Sequence, residues 1–420
     1  MNIKKIFIKI KNNHNAQTVV KNFAYLSILQ FASYLLPLIT LPYLARVIGP
    51  SGFGKIAFAS AVITWFISVV TWGFDFTATR DVARVRDDKD AVSEIFTNIF
   101  WARLFLSIIC FLTLVILIIF IPIFRESSIV LLVTFLLIPG RVMFPEWMFQ
   151  ALERMKFISI LRISSQLFFS ISVFIFIKTP QDYILQPLLI SLGQLVSGAI
   201  AMYLIIVKWS YKINKPCIKN MLLTIKDGVD VFINNFAPNL YNSFSTVLLG
   251  MYYGEVANGL FSAGGKLITI VQQFVGVLSR SFFPFLSRKI DKHNIYALIT
   301  LSTTFICSII LFIFAPQFIQ LLYSSEFENA VVILRILAFS VFFMSLTNVY
   351  GVNFLILRGQ EKLLRNVTLK NSVIGMFVAF PLIYFYSYWG AAITVMLTRM
   401  FVGISITYKA LKIKNNEFVE

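Results

Sequence analysis

Nine basic side chains fall within or at the edges of long apolar stretches: Arg46, Arg103, Arg141, Arg162, Lys266, Arg280, Arg335, Lys370 and Arg399. Only three acids are so placed, Asp75, Glu146 and Asp230. A basic residue facing lipid at mid-bilayer costs about 2.5–3.5 kcal/mol on insertion scales. Residues near helix ends escape part of that cost by snorkelling, but Arg141, Lys266 and Arg399 lie too deep. Three carboxylates cannot neutralise nine cations, so the surplus suits an anionic substrate held by charge-assisted hydrogen bonds. The competing reading makes Arg141 and Lys266 structural, paired with Glu146 or a backbone carbonyl.

Polar neutral groups gather on particular helix faces. Lys266, Thr269, Gln273 and Arg280 run along one stripe, with Gly264 and Gly265 beside them; Ser60, Thr64, Ser68, Thr71 and Asp75 form a comparable stripe earlier in the chain. Asn234, Asn235, Asn239, Asn242, Ser243, Ser245 and Thr246 crowd another segment. Lipid tails offer such groups no hydrogen-bond partner, so they face protein or water. Bonds between helices, at about 0.6 kcal/mol each, would account for one asparagine. Several on one face suggest a wet cavity, in which Gln30, Asn235, Asn239 and Asn242 would meet hydroxyl groups of a substrate, with Thr269 and Gln273 as further polar lining.

The elements that position these groups follow from composition. Of 420 residues, 58% are hydrophobic and only 13% charged, and mean hydropathy is +0.81. A soluble chain is about a quarter charged, so this one is an all-α integral membrane protein. A crossing needs about 20 apolar residues. Twelve spans are predicted, at 22–47, 54–76, 98–121, 128–150, 157–178, 183–207, 229–252, 256–283, 295–315, 330–355, 366–386 and 389–409. The connections are short, and no soluble domain fits between spans.

Basic residues give the orientation. With the N-terminus inside, 25 of the 37 lysines and arginines fall in cytoplasmic segments, whereas the outward loops hold Arg125, Lys178 and, at a border, Lys55. Positive charge stays inside on insertion, which places both termini in the cytoplasm. The first segment lacks a signal-peptidase site and reads as retained. Ile3, Ile6, Phe7 and Ile10, spaced on one helical face among lysines, predict a short interfacial helix on anionic lipid. Arg80, Arg84 and Arg86 alternate with Asp81, Asp87 and Asp88 on the first inner loop, and the mixed signs favour a solvated interfacial helix over a substrate funnel.

A shift of 205 residues aligns Gly49 with Gly254, Gly54 with Gly259 and Thr64 with Thr269. Gln30, Ser33, Tyr34 and Pro37 then align with Asn235, Pro238, Asn239 and Asn242, each set on one face. Six spans separate the copies, so they run in the same direction and predict two six-helix lobes related by an axis along the membrane normal. The implied organisation is a cytoplasmic interfacial segment 1–21, an N-lobe 22–208, a linker 209–228, a C-lobe 229–410 and a tail 411–420. The four glycines read as turn residues or as points that let the lobes close.

Other chemistries are disfavoured. Cys110, Cys217 and Cys307 are far apart and form neither a disulfide framework nor a zinc site, so no metal or cofactor is expected. The only histidines, His14 and His293, are predicted cytoplasmic, which argues against a membrane polymerase or glycosyltransferase with an outward catalytic loop. No G-x-x-x-x-G-K-[ST] sequence occurs. The net charge of +18 is explained by the membrane, not by nucleic acid. No acid precedes Asp75, so the first helix has no carboxylate for a cation or proton, as a drug or sodium exporter would need.

The stretch from Asn22 to Phe58, NFAYLSILQFASYLLPLITLPYLARVIGPSGFGKIAF, resembles the opening of Wzx-type flippases of bacterial polysaccharide assembly. WGFDFTATRDVARVRDD, with Gly73, Phe74, Thr79 and Arg80, is similar to their segment after the second helix, and WGAAITVMLTRMF is a weaker match near the end. The resemblance implies the multidrug/oligosaccharidyl-lipid/polysaccharide exporter superfamily and a V-shaped, MATE/MOP-like transporter opening alternately to either side. It implies an undecaprenyl-diphosphate-linked oligosaccharide as substrate, for O antigen or a similar surface polysaccharide, in the bacterial inner membrane. Membrane lipids, the polysaccharide polymerase and the chain-length regulator are the partners it suggests. Arg141, Lys266, Arg280 and Arg399 would then bind the diphosphate. Relatives commonly carry an acid near the position of Arg399, so an inherited proton-coupling role is in doubt. Peptidoglycan-precursor flippases usually have two further helices, for which this chain has no room. A multidrug or other small-molecule exporter of the same fold is the alternative.

Overall fold

The computed structural model describes residues 14–286 and 292–417; within them the side chains of 14–31, 34, 280, 281, 283–285, 416 and 417 are outside the described set. The interfacial helix expected at Ile3–Ile10 and the side chains of Gln30, Tyr34 and Arg280 therefore lie outside the described residues. All regular structure among the described residues is helical.

The principal elements are α1 (His14–Thr71), α2 (Phe74–Arg84), α3 (Lys89–Phe120), α4 (Leu137–Met143), α5 (Glu146–Ala151), α6 (Met155–Phe176), α7 (Leu185–Tyr203), α8 (Val229–Phe236), α9 (Asn242–Leu286), α10 (His293–Ile313), α11 (Ala330–Leu346) and α12 (Glu361–Glu417). Nine helical stretches among the described residues are long and apolar enough to cross a membrane. Three of them, Leu35–Arg84, Val229–Ser279 and Glu361–Asn415, hold 50, 51 and 55 residues, more than twice the length of one crossing.

Each of those three contains a residue that leaves helical geometry. Gly49 breaks α1 at φ 62°, ψ −178°, Gly254 breaks α9 at φ 75°, ψ −161°, and Ser387 breaks α12 at φ 52°, ψ −130°. The first two are glycines because a Cβ disfavours positive φ. Pro50 follows Gly49, and proline suits the first turn of the helix that resumes there because its missing N–H would find no partner. Gly49 and Gly254 are the pair aligned by the 205-residue shift, and they share this backbone geometry.

Two expected spans are interrupted. The fourth, predicted as 128–150, is split into Ser128–Phe135, α4 and α5. Pro145 offers no N–H and disfavours helical geometry at Phe144, which takes φ −111°, ψ 81°. The seventh, predicted as 229–252, passes through the 3₁₀ turn Ala237–Leu240 around Pro238 before α9 begins.

The chain forms two compact units. One comprises the N-terminal stretch to Tyr43 with Phe66–Lys178 and Ile184–Phe232; the other comprises Leu44–Trp65, Thr179–Tyr183 and everything from Ile233 onward. In the first, Phe74, Phe96, Leu131, Ile138, Trp147, Met148 and Phe149 are almost wholly buried. In the second, Phe53 meets Tyr323 and Phe327 edge-on, at 6.1 and 5.7 Å between ring centroids. Large apolar side chains also point outward, with Phe120 76%, Phe385 73% and Leu298 69% exposed. Acyl chains solvate such groups, which explains why the helices are apolar on both inward and outward faces.

Candidate functional site

In the first unit, five charged side chains from five elements come together. Asp75 lies in the first turn of α2, just after Gly73, whose φ of 92° turns the chain out of α1. Arg103, on α3, is 3% exposed and donates from Nη2 to Asp75 Oδ1 at 2.6 Å. Its guanidinium carbon stands 5.9 Å from the Phe74 ring centroid, and its Nε has no hydrogen-bond partner among the described residues. The Pro145 break starts a new helix at Glu146. There the carboxylate receives two hydrogen bonds from Arg162 of α6, Nε to Oε1 and Nη2 to Oε2, both at 2.6 Å. Such a fork-to-fork pair is among the stronger side-chain contacts. Asp75 and Glu146 each occupy a first helical turn, where the helix dipole favours negative charge.

Arg141 is the fifth member. It lies in the last turn of α4, is exposed, and makes no hydrogen bond or ion pair among the described residues. It interacts electrostatically with Glu146, Arg162, Asp75 and Arg103. Glu146 was its expected partner under the structural reading; the structure gives Glu146 to Arg162 instead. Gly140, beside it, sits so close to Gln194 and Leu195 of α7 that a Cβ would be 2.9 and 3.1 Å from their atoms. That contact fixes the rotation of α4 and leaves Arg141 outward.

In the second unit Lys266 is equally unpaired and exposed. Its neighbour Gly264 packs on α11, where a Cβ would come within 2.6 Å of Ile333. Successive helical residues turn by about 100°, so Lys266 lies on nearly the opposite face of α9 from that contact. Thr269 is exposed on the same face with its hydroxyl bonded back to Gly265 O at 3.1 Å. Gln273 is exposed there as well.

Arg399 is different. Its Nη1 donates to Ser340 Oγ at 3.0 Å and its Nη2 to Asn242 Oδ1 at 3.1 Å, which ties α12 to α11 and α9. Asn242, expected to meet a sugar hydroxyl, is thus committed through its carbonyl oxygen to a guanidinium. Asn235 is exposed on α8 and Asn239 half-buried in the following turn. Ser33, on the polar face of the first span, exchanges a hydrogen bond with Gln166 at 3.0 Å, an inter-helix role.

Two further features of the second unit were not legible in the sequence. Gly54 has no space for a side chain, since a Cβ would lie 1.7 Å from the carbonyl oxygen of Glu255; on Gly259 it would lie 1.9 Å from the carbonyl oxygen of Pro50. The contact is reciprocal under the 205-residue shift, which maps Pro50 to Glu255 and Gly54 to Gly259. Beside it, Glu255 accepts from Ser51 Oγ at 2.6 Å and pairs with Lys55 at 3.3 Å. The glycine alignment pointed to these positions, but the partner atoms could not be read from it.

The charges of the segment 80–88 pair with one another and with Glu153. Arg80 bonds Asp81 at 2.8 Å, and Arg86 bonds Glu153 at 3.0 Å. Asp88 caps α3, accepting from the backbone N–H groups of Asp90 and Ala91.

A profile of the family described as polysaccharide biosynthesis protein matches residues 19–290. A protein of Escherichia coli K12 described as an O-antigen transporter is 28% identical over 399 residues, covering 93% of this chain and 96% of that protein. The capsular polysaccharide biosynthesis protein CapF of Staphylococcus aureus is 25% identical over 417 residues, covering 93% of this chain and 98% of its own length. Among solved structures, lipid II flippase MurJ in an inward closed conformation aligns with TM-score 0.73 at 13% identity, over 94% of this chain and 90% of that one. An inward-facing multidrug resistance MATE family transporter of the MOP superfamily aligns with TM-score 0.70 at 14% identity, over 93% and 97%. At those identities the structural likeness establishes the fold.

Proposed function

Because the chain belongs to the polysaccharide biosynthesis protein family, we propose that it is a flippase carrying an undecaprenyl-diphosphate-linked oligosaccharide from the inner to the outer face of the bacterial cytoplasmic membrane. It is a membrane transporter and not an enzyme, as its O-antigen-transporter relatives indicate. Counting each of the three broken stretches as two crossings turns nine into twelve, in keeping with two six-helix lobes, 22–208 and 229–410. The equal geometry of Gly49 and Gly254 and the reciprocal contact at Gly54 and Gly259 support a repeat of this kind. Both termini would be cytoplasmic, as the distribution of lysine and arginine requires.

A diphosphate head cannot enter hydrocarbon unaided, because desolvating each unpaired charge costs several kcal/mol. The observation that carries the proposal is that Arg141 and Lys266, each on a helix within a span, are exposed and unpaired among the described residues. Lipid is a costly surrounding for them, so each is assigned to a water-facing surface of its own unit where it replaces water around the diphosphate. Arg280 and Arg399 would be further ligands of the diphosphate. Asn235, Asn239 and Gln30 would meet sugar hydroxyls, while Asn242, its carbonyl oxygen held by Arg399, could offer only its amide N–H groups; Thr269 and Gln273 lie on the Lys266 face. The polyprenyl tail stays in lipid. An inside-negative potential drives the negative head outward, a gain of about 2.3 kcal/mol per negative charge per 100 mV, so alternating access needs no coupled ion on energetic grounds.

The test is reconstitution in vesicles with a labelled lipid-linked oligosaccharide. Translocation of intact substrate with no new glycosidic bond is expected. Elongated product would assign the chain to a polymerase, and transport of organic cations alone would assign it to a drug exporter of the same fold.

A further inference from the structure

Three arginines and two carboxylates in the first unit form a set with one surplus positive charge, and Arg141 alone of the five has no partner among the described residues. The carboxylates lie directly on the two guanidinium groups that interact electrostatically with Arg141. Arg103 is enclosed, with 4% of its side chain exposed, whereas Asp75 is 51% exposed; Arg162 and Glu146 are 41% and 22% exposed. Asp75 is therefore the accessible partner of an enclosed cation, and the Arg162–Glu146 pair is partly exposed on the same cluster. An enclosed guanidinium is costly to leave unpaired, so some anion must sit on Arg103 at every stage of a transport cycle.

We propose that Asp75 and Glu146 are built-in counter-ions that a diphosphate displaces from Arg103 and Arg162, so that the site around Arg141 becomes a three-arginine anion site only while the substrate is present. This rests on the reading of Arg141 as a diphosphate ligand. Displacement lets the site hold a dianion without carrying two uncompensated cations when empty. The return of the carboxylates then expels the head, because each competes for the same N–H groups. Affinity is held down and turnover gained. No bond is made or broken; one anion exchanges for another on the same donors.

Opposite signs separate this from a purely structural role. The full-length protein in detergent is titrated with farnesyl diphosphate, a soluble polyprenyl diphosphate. Arg141→Ala is expected to weaken binding about tenfold, as loss of a charge-assisted contact does. Asp75→Asn and Glu146→Gln are each expected to tighten it about tenfold, and Glu146→Gln to slow translocation in vesicles because release is retarded. Glu153→Gln, which neutralises a carboxylate paired with Arg86 outside the cluster, leaves affinity unchanged. If Asp75→Asn does not fold, with Arg103 left bare, Glu146→Gln decides, since Arg162 is far less enclosed than Arg103.

Unchanged or weaker binding in the carboxylate variants, with Arg141→Ala still weakened, overturns the counter-ion inference and leaves the flippase site intact. Equal tightening by Glu153→Gln also overturns it, because the effect would then be one of net charge. If the wild type does not bind farnesyl diphosphate, or Arg141→Ala binds it as well, the assignment of Arg141 itself falls.

Discussion

Gly54 and Glu255 approach so closely that a Cβ on the glycine would stand 1.7 Å from the Glu255 carbonyl oxygen, and Gly259 repeats the relation with Pro50 at 1.9 Å. A carbonyl in a helix cannot turn aside as a side chain can. The crossing is therefore set by two hydrogen atoms where any other residue would place a carbon.

Gly54→Ala and Gly259→Ala are each expected to force the two segments apart, at a cost of about 1–3 kcal/mol, as overpacking does. Thermal unfolding of the purified protein would register the loss as a lower midpoint. Midpoints equal to wild type for both variants would mean that the helices part without cost.

The ion pair beside the crossing should matter far less. Lys55 and Glu255 are 30% and 46% exposed in their side chains, and such pairs contribute about 0–1 kcal/mol. Glu255→Gln keeps an acceptor for Ser51 and is expected to leave the unfolding midpoint nearly unchanged. A drop comparable with that of Gly54→Ala would show that the ion pair, not the glycine, sets the crossing.

Arg399 joins α12 to α11 and α9 through a planar fork. Lysine cannot span Ser340 and Asn242 with the same geometry, so Arg399→Lys is expected to be nearly as damaging as Arg399→Gln. A double-mutant cycle between Arg399→Lys and Asn242→Ala should give a coupling of about 0.5–3 kcal/mol, the range for residues in one network. Strict additivity would deny the contact a role.

Arg141→Ala and Lys266→Ala are expected to abolish surface polysaccharide while the protein stays in the membrane at wild-type amounts, because neither side chain makes a hydrogen bond or ion pair among the described residues. Polymer levels on the cell surface and immunoblots of membrane fractions check this. Normal polymer in both variants removes them from the site.

Gly73 turns α1 into α2 at φ 92°, and a Cβ there would be 2.7 Å from Val231. Trp72 beside it stacks on Phe232 at 4.0 Å between centroids and donates from Nε1 to Ile225 O at 2.7 Å. Gly73→Ala is expected to destabilise by more than the strain of positive φ alone, about 1 kcal/mol, since it also strikes a β-branched neighbour. A milder loss in thermal unfolding would mean that the turn relaxes.

The chain's composition by itself determined that it dissolves in lipid, that it is helical and that it carries surplus cations inside. Those properties depend on sums over many residues and need no knowledge of what lies beside what. The 205-residue shift also singled out Gly49 and Gly254 before any geometry was known, because positive φ leaves a mark in residue type. Partnership could not be read in this way. Arg103, Arg141 and Arg162 are the same residue in similar apolar surroundings, yet two are neutralised and one is bare. The difference arises where the Pro145 break and the Gly73 turn deliver Glu146 and Asp75, and where close packing at Gly140 aims Arg141. Asn242 likewise looked like open polar lining until α12 brought Arg399 against it. Ion pairing falls off within a few ångströms, so only the rotation and break of each helix decide which charges meet.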